Sequence, residues 1–218
     1  IVGVAAAHPG IATQGVMLRK FGQEVIRATA GKRVHGTGSI PGGMNKHLGA
    51  ADRRLLQADL PQVLDWARQA VAIVKQLHAA QPALYNGFAS FRAPMMSLVA
   101  NDGGMDLYDG VIRVRDAAGR IIVDGVADQD YLDLIEEEVK PWSYMKFPYL
   151  KSLGPDVGWY RVGPLARVQN CDFIPSPLAE AERREFVAWG QGEPVHATLA
   201  YHWARMIELL HAAEVSAT

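Results

Sequence analysis

Apolar positions recur at helical spacing near the start of the chain. Leu18, Phe21, Val25 and Ala28 follow one another at steps of three and four, with Arg19, Lys20, Gln23 and Glu24 between them. This predicts an amphipathic helix over about 11–30, stopped by Gly31, because glycine accepts the left-handed conformation that closes a helix. A second stripe, Leu60, Val63, Ala67, Val71, Val74 and Leu77, predicts a helix over about 59–80. Asp59 and Gln62 stand there in capping-box relation, and Pro61 suits a first turn, where its missing N–H loses no partner. Residues 50–57 read as a separate helical turn ahead of it. Ser176-Pro177 opens a helix over about 177–189, closed by Gly190. Leu199, Trp203, Met206, Leu210 and Ala213 place a last helix over about 195–214.

The period changes between Val111 and Val123. Ile112 and Val114 alternate with Arg113 and Arg115, and Ile121-Ile122-Val123 returns after Asp116-Ala117-Ala118-Gly119. This is the pattern of a β-hairpin with Gly119 at the left-handed position, and two strands alone need further packing to be stable. The acidic patch Asp133 to Glu138 reads as a solvated helix face, and residues 140–171 show little periodicity. The expected class is mainly α with a small β-hairpin (α+β), residues 1–218 forming one segment of a single domain.

Composition narrows the function classes. Hydrophobic residues are 49% and charged residues 21%, which excludes disorder for most of the chain. A formal net charge of −1 gives no general attraction to nucleic acid or anionic membranes. No apolar run has the length of a membrane span, and the opening Ile1-Val2-Gly3-Val4-Ala5 lacks the basic region of a signal peptide. One cysteine, Cys171, allows no intrachain disulfide, so a reducing, cytoplasmic setting is expected. An opening without Met and a close without a helix stop fit a piece of a longer protein.

Local chemistry is sparse. The histidines stand at 8, 35, 47, 78, 196, 202 and 211, none three or four apart, so no helix offers two ligands to one metal. Gly36-Thr37-Gly38 and Gly42-Gly43 lack the lysine and the strand context of phosphate-binding loops. No Gly-x-Ser-x-Gly elbow exists. The aromatic run Trp142 to Tyr149, with Lys140, Lys146 and Lys151, holds two prolines and reads as packing or subunit contact rather than a nucleic-acid surface. His35, between a helix end and a glycine-rich loop, is open to two readings: bonded to loop carbonyls, or placed against another group.

Three blocks carry a family resemblance. Leu18-Arg19-Lys20-Phe21-Gly22-Gln23-Glu24-Val25-Ile26 is followed by Gly31-Lys32-Arg33-Val34-His35-Gly36 and Pro41-Gly42-Gly43. Tyr160-Arg161-Val162-Gly163-Pro164-Leu165-Ala166-Arg167 comes next, and His196-Ala197-Thr198-Leu199-Ala200-Tyr201-His202-Trp203-Ala204-Arg205 ends the series. In this order they resemble the middle of a nickel–iron hydrogenase large subunit, the last block its cytoplasmic, NAD-reducing bidirectional branch. The resemblance implies a parent that cleaves or forms dihydrogen at a Ni–Fe centre bearing cyanide and carbon monoxide. It implies as partners a small subunit with an Fe–S cluster and a flavin module that reduces NAD. Soft, anionic thiolates suit such a metal site. The family's ligands come in two Cys-x-x-Cys pairs, neither of which is in this chain, and the family's arginine over the metal falls beyond Arg205. The resemblance therefore implies a segment that binds no metal and is inactive alone. It places His35, with Arg33, Gly42 and Gly43 beside it, toward the small subunit's nearest cluster. The other reading of the resemblance is a metal-free relative serving as a structural or quinone-site scaffold in a respiratory complex.

Overall fold

The computed structural model describes residues 2–217; Ile1, at the head of the apolar opening, lies outside them. The chain divides into two compact units, residues 1–76 with 209–218, and residues 77–208.

The first unit begins with two helices, α1 (Val2–Ala7) and α2 (Pro9–Ala30). Pro9 fills the first turn of α2, and Gly31 closes it in the left-handed conformation (φ 85°), its N–H donating to the Arg27 carbonyl at 2.9 Å. A short hairpin, β1 (Ser39–Ile40) with β2 (Gly43–Met44), follows. Helix α3 (Ala50–Ala80) then supplies its residues 50–76 to this unit. Here the structure corrects the expected start at residue 59. The separate turn at 50–57 is the beginning of one helix, and Pro61 lies inside it. A proline there removes one backbone hydrogen bond, from the Gln57 carbonyl. Gln57 is exposed, and the helix continues through Pro61. Of the predicted stripe, Leu60, Val63, Ala67 and Val71 are buried, and Val74 and Leu77 are half-buried.

The second unit is built on a three-stranded antiparallel sheet in the order β3-β4-β5. The expected hairpin is present as β4 (Val111–Arg115) and β5 (Ile121–Ala127), with Gly119 left-handed at φ 84°. Strand β3 (Met95–Val99) pairs with β4 in unbroken register from Met95↔Arg115 to Val99↔Val111, after helix α4 (Pro82–Gly87). A second hairpin joins β6 (Ile135–Val139) to β7 (Lys146–Leu150), just after one helical turn, α5 (Tyr131–Leu134). The acidic patch is therefore mostly strand rather than a helix face. Glu136, Glu137 and Glu138 pair with Tyr149, Pro148 and Phe147. Ile112, Val114 and Leu150 form a buried cluster under Met96, Leu98, Val123, Val126, Leu134 and Tyr160, which gives the hairpins the packing they need.

Helices α6 (Pro164–Asn170) and α7 (Pro177–Trp189) lie in this unit, together with the first part of α8 (Ala200–Ala217). Helix α7 has the expected bounds, whereas α8 starts later than residue 195. Val195, His196 and Ala197 are buried but not helical. The fully buried Asn170 ties α6 to the sheet, its amide nitrogen facing the Met95 carbonyl, Ser97 Oγ and the Arg113 carbonyl at 3.1–3.2 Å.

Candidate functional site

The first sequence block surrounds the loop between α2 and α3. Gly36 must be glycine, since a Cβ there would stand 2.6 Å from the Ala30 Cβ. The Thr37 N–H donates to the Ala30 carbonyl at 3.1 Å, which folds the chain back against the helix end. Pro41 and Gly42 (φ 91°) form the two-residue turn between β1 and β2, a pairing that sets φ for the first position and needs a positive φ at the second. Lys46 Nζ reaches back to the Ala28 carbonyl at 2.6 Å.

The predicted residues fall as follows. His35 is exposed, at φ 49°, an uncommon conformation for a residue other than glycine. Arg33 is exposed and pairs with Glu24, whose second oxygen receives Arg27 Nε at 2.7 Å. Hydrogen bonds from Arg27 and then Arg33 hold the Glu24 carboxyl below its usual range. Gly42 and Gly43 are exposed in the hairpin. The loop thus brings all four onto one short, outward-facing segment.

The second and third blocks meet within the second unit. Gly163 (φ 80°) and Pro164 open α6. Arg167 then makes a two-pronged ion pair with Glu208, at 2.6 and 2.9 Å. Tyr201 donates its hydroxyl to the Val162 carbonyl at 3.0 Å. Arg161 is buried, lies 3.9 Å from the centre of the Phe91 ring, and donates Nη2 to the Phe91 carbonyl and Thr198 Oγ1. Its Nε and Nη1 are buried without an acceptor, and burial lowers its pKa. His196 is buried with Nε2 2.9 Å from the Ala117 carbonyl, and burial again lowers its pKa. Sequence reasoning assigned these residues no function, and here they join segments remote in sequence.

No family model matches the chain. Individual proteins do. Over 99% of its length the chain is 42% identical to the beta subunit of the NAD-reducing hydrogenase HoxS of Cupriavidus necator, covering 45% of that protein. A crystal structure of an NAD+-reducing [NiFe]-hydrogenase in the H2-reduced state superposes on the whole chain with a TM-score of 0.94 at 47% identity, over 48% of its own chain. Over its whole length the chain is similar to part of an NAD-reducing hydrogenase subunit. A more distant hydrogenase relative belongs to the vhu F420-non-reducing hydrogenase of Methanocaldococcus jannaschii. It is 38% identical over 98% of the chain and is half covered, at 50%. The chain spans about half the length of these curated hydrogenase relatives.

The hydrogenase residues present here do not fit a Ni–Fe centre. Cys171 is buried beneath α6, its Sγ faces the Val168 carbonyl at 3.6 Å, and burial pushes its thiol pKa up to about 12. A thiol so disfavoured as thiolate is a poor metal ligand. Among the described residues, no group of three or more His, Cys, Asp or Glu is arranged to hold a metal ion. No helix among them is long and apolar enough to cross a membrane.

Proposed function

We propose that this chain is the middle segment of the catalytic large subunit of a [NiFe] hydrogenase, a single domain segment whose parent complex oxidises H2 reversibly with NAD reduction. The segment alone carries out no chemistry and binds no Ni–Fe centre. The observation that carries this reading is the full-length match to half of an NAD+-reducing hydrogenase chain, at 47% identity and a TM-score of 0.94. A chemical point supports the inactivity: the only thiol is buried and protonated, whereas nickel needs thiolates that the other half of such a protein would supply. In the cytoplasmic parent, the Ni–Fe centre bears cyanide and carbon monoxide. The partners are a small subunit with an Fe–S cluster and a flavin module that meets NAD.

His35 is the segment's contribution toward the electron path. Exposed and held at φ 49° by a loop folded on Ala30, its imidazole is free to hydrogen-bond a group of the small subunit near its closest cluster. Arg33, Gly42 and Gly43 shape the same wall. In the matured full-length enzyme His35→Gln keeps its nickel and iron while H2-dependent dye reduction slows by roughly 10–100-fold. An unchanged rate, or lost metal, removes this role.

The deciding experiment measures metal content and H2-dependent dye reduction on this chain and on the full-length product matured with its partners. Nickel, iron and activity in the full product, with neither metal in this chain, is the expected result. Nickel bound by this chain alone contradicts the reading of a segment that holds no metal. A properly matured full product without nickel points instead to a metal-free relative acting as a structural or quinone-site scaffold.

A further inference from the structure

Residues 88–92 lie between α4 and β3 and belong to neither, yet distant parts of the second unit hold them in place. Thr198 Oγ1 donates to the Ala89 carbonyl at 2.7 Å, and Ser90 Oγ donates to the His196 carbonyl at 3.2 Å. Arg161 Nη2 donates to the Phe91 carbonyl at 2.9 Å, and Arg92 Nη2 to the Ala117 carbonyl at 2.8 Å. The Phe91 ring lies over the Arg161 guanidinium, with 3.9 Å between them.

Two features of this closed arrangement oppose it. Ala89 stands at φ 47°, a left-handed conformation in which a Cβ crowds the following carbonyl oxygen. Against the same segment, Arg161 is buried with Nε and Nη1 donating to nothing, and among the described residues no carboxylate pairs with it. The acceptors it does have, the Phe91 carbonyl and Thr198 Oγ1, are neutral. A guanidinium keeps its charge at neutral pH, and a buried charge without an anionic partner is costly. Both costs end when the same residues lift. Ala89 then leaves positive φ, and the Phe91 ring and carbonyl leave the guanidinium. A segment held against such costs opens at lower free energy than the unit around it unfolds.

We propose that residues 88–92 are a strap that opens as a local unit, and that Arg161 in the open state binds a tetrahedral oxyanion. Opening releases Nη2 from the Phe91 carbonyl and removes the ring from one face of the cation. Donors on Nε, Nη1 and Nη2 then meet an anion with several oxygens, as charge-assisted hydrogen bonding of sulfate or phosphate requires. Every group involved is internal to the second unit, and nothing is asked of the loop that carries His35.

The test is chymotryptic cleavage after Phe88 and Phe91 in the matured full-length enzyme, read by mass spectrometry. Cleavage tracks the open population when closing outpaces it. Inorganic sulfate is the probe, against sodium chloride at equal ionic strength. Sulfate that acts only by exclusion from the protein surface favours compact states and slows cleavage. Here cleavage is expected to rise, by about tenfold once sulfate reaches roughly ten times its dissociation constant for the open strap. Ala89→Gly should slow sulfate-free cleavage by roughly fivefold or more, because glycine accepts positive φ. Thr198→Val, which loses the bond to the Ala89 carbonyl, should speed it by roughly fivefold. Arg161→Gln should lose the sulfate response. If that variant does not mature, selenate soaked into crystals of the wild-type enzyme replaces it, with an anomalous peak beside Arg161 and Phe91 displaced as the expected result. Cleavage that spares the strap, that sulfate slows, or that still responds to sulfate in Arg161→Gln overturns the proposal, as does selenate absent from Arg161. Nickel content, measured on the same samples, reports on the hydrogenase reading separately.

Discussion

Replacing Phe186 with alanine is expected to lower the unfolding free energy of the second unit by about 3–5 kcal/mol, the range for truncating a buried aromatic. Phe186 is fully buried on α7, with its ring edge-on to Trp203 at 5.2 Å between centroids and tilted against Trp189 at 6.0 Å. Trp189 and Trp203 in turn stand 5.7 Å apart and enclose His78, whose ring lies 4.5 Å from Trp189 and whose Nε2 is 2.9 Å from Asn86 Oδ1. Removing the phenyl ring leaves a cavity that three stiff rings cannot collapse to fill. Urea denaturation followed by tryptophan fluorescence measures the loss, since the two indoles report on the same cluster. Val187→Ala, one position along on the exposed side of α7, should change stability by about 0.5 kcal/mol or less. If Phe186→Ala also costs only about 1 kcal/mol or less, the aromatic cluster is not a rigid core.

Acid should destabilise the second unit through Glu180. Burial alone would raise the pKa of this carboxyl, but hydrogen bonds from Arg183, the Ile174 N–H and Arg184 outweigh it and hold the pKa at about 2 against an ordinary 4.5. Because the folded value is the lower one, the stabilisation is complete above pH 4.5 and is lost as pH falls from there toward 2. The carboxylate side chain is only 12% exposed, so solvent screens it little, and the linkage amounts to roughly 3 kcal/mol. Glu180→Gln should therefore lower stability at neutral pH and flatten its fall with acid. Equal acid slopes in the wild type and the variant would assign the acid sensitivity to other carboxylates.

Much of the helical framework was legible in the sequence because its signals are local. The α2 stripe with Gly31, and Ser176-Pro177 ahead of α7, need only spacing, a cap position and a stop. The Val111–Val123 alternation and Gly119 placed the hairpin for the same reason. The three family blocks were readable too, as residue strings. Where local rules misled, packing or a distant partner had decided. Pro61 reads as a helix start by local preference, yet α3 runs through it with the buried stripe Leu60, Val63, Ala67 and Val71 continuing on either side. Glu136, Glu137 and Glu138 resemble a solvated helix face until β7 lines up opposite them as a strand partner.

The candidate site divides in the same way. His35, Arg33, Gly42 and Gly43 could be named from the loop's composition and its likeness to a family, but His35's exposure and positive φ required the fold of the loop against Ala30. Nothing in the order of residues indicated that Asn170 would bind β3 and β4, or that Arg161 would be buried over Phe91. The sequence by itself determined the periodic elements and the shortage of thiol ligands. The tertiary structure alone decided which strands pair, which polar groups are buried and which charges stay exposed. The physical reason is that each of these depends on water being excluded by residues tens of positions away.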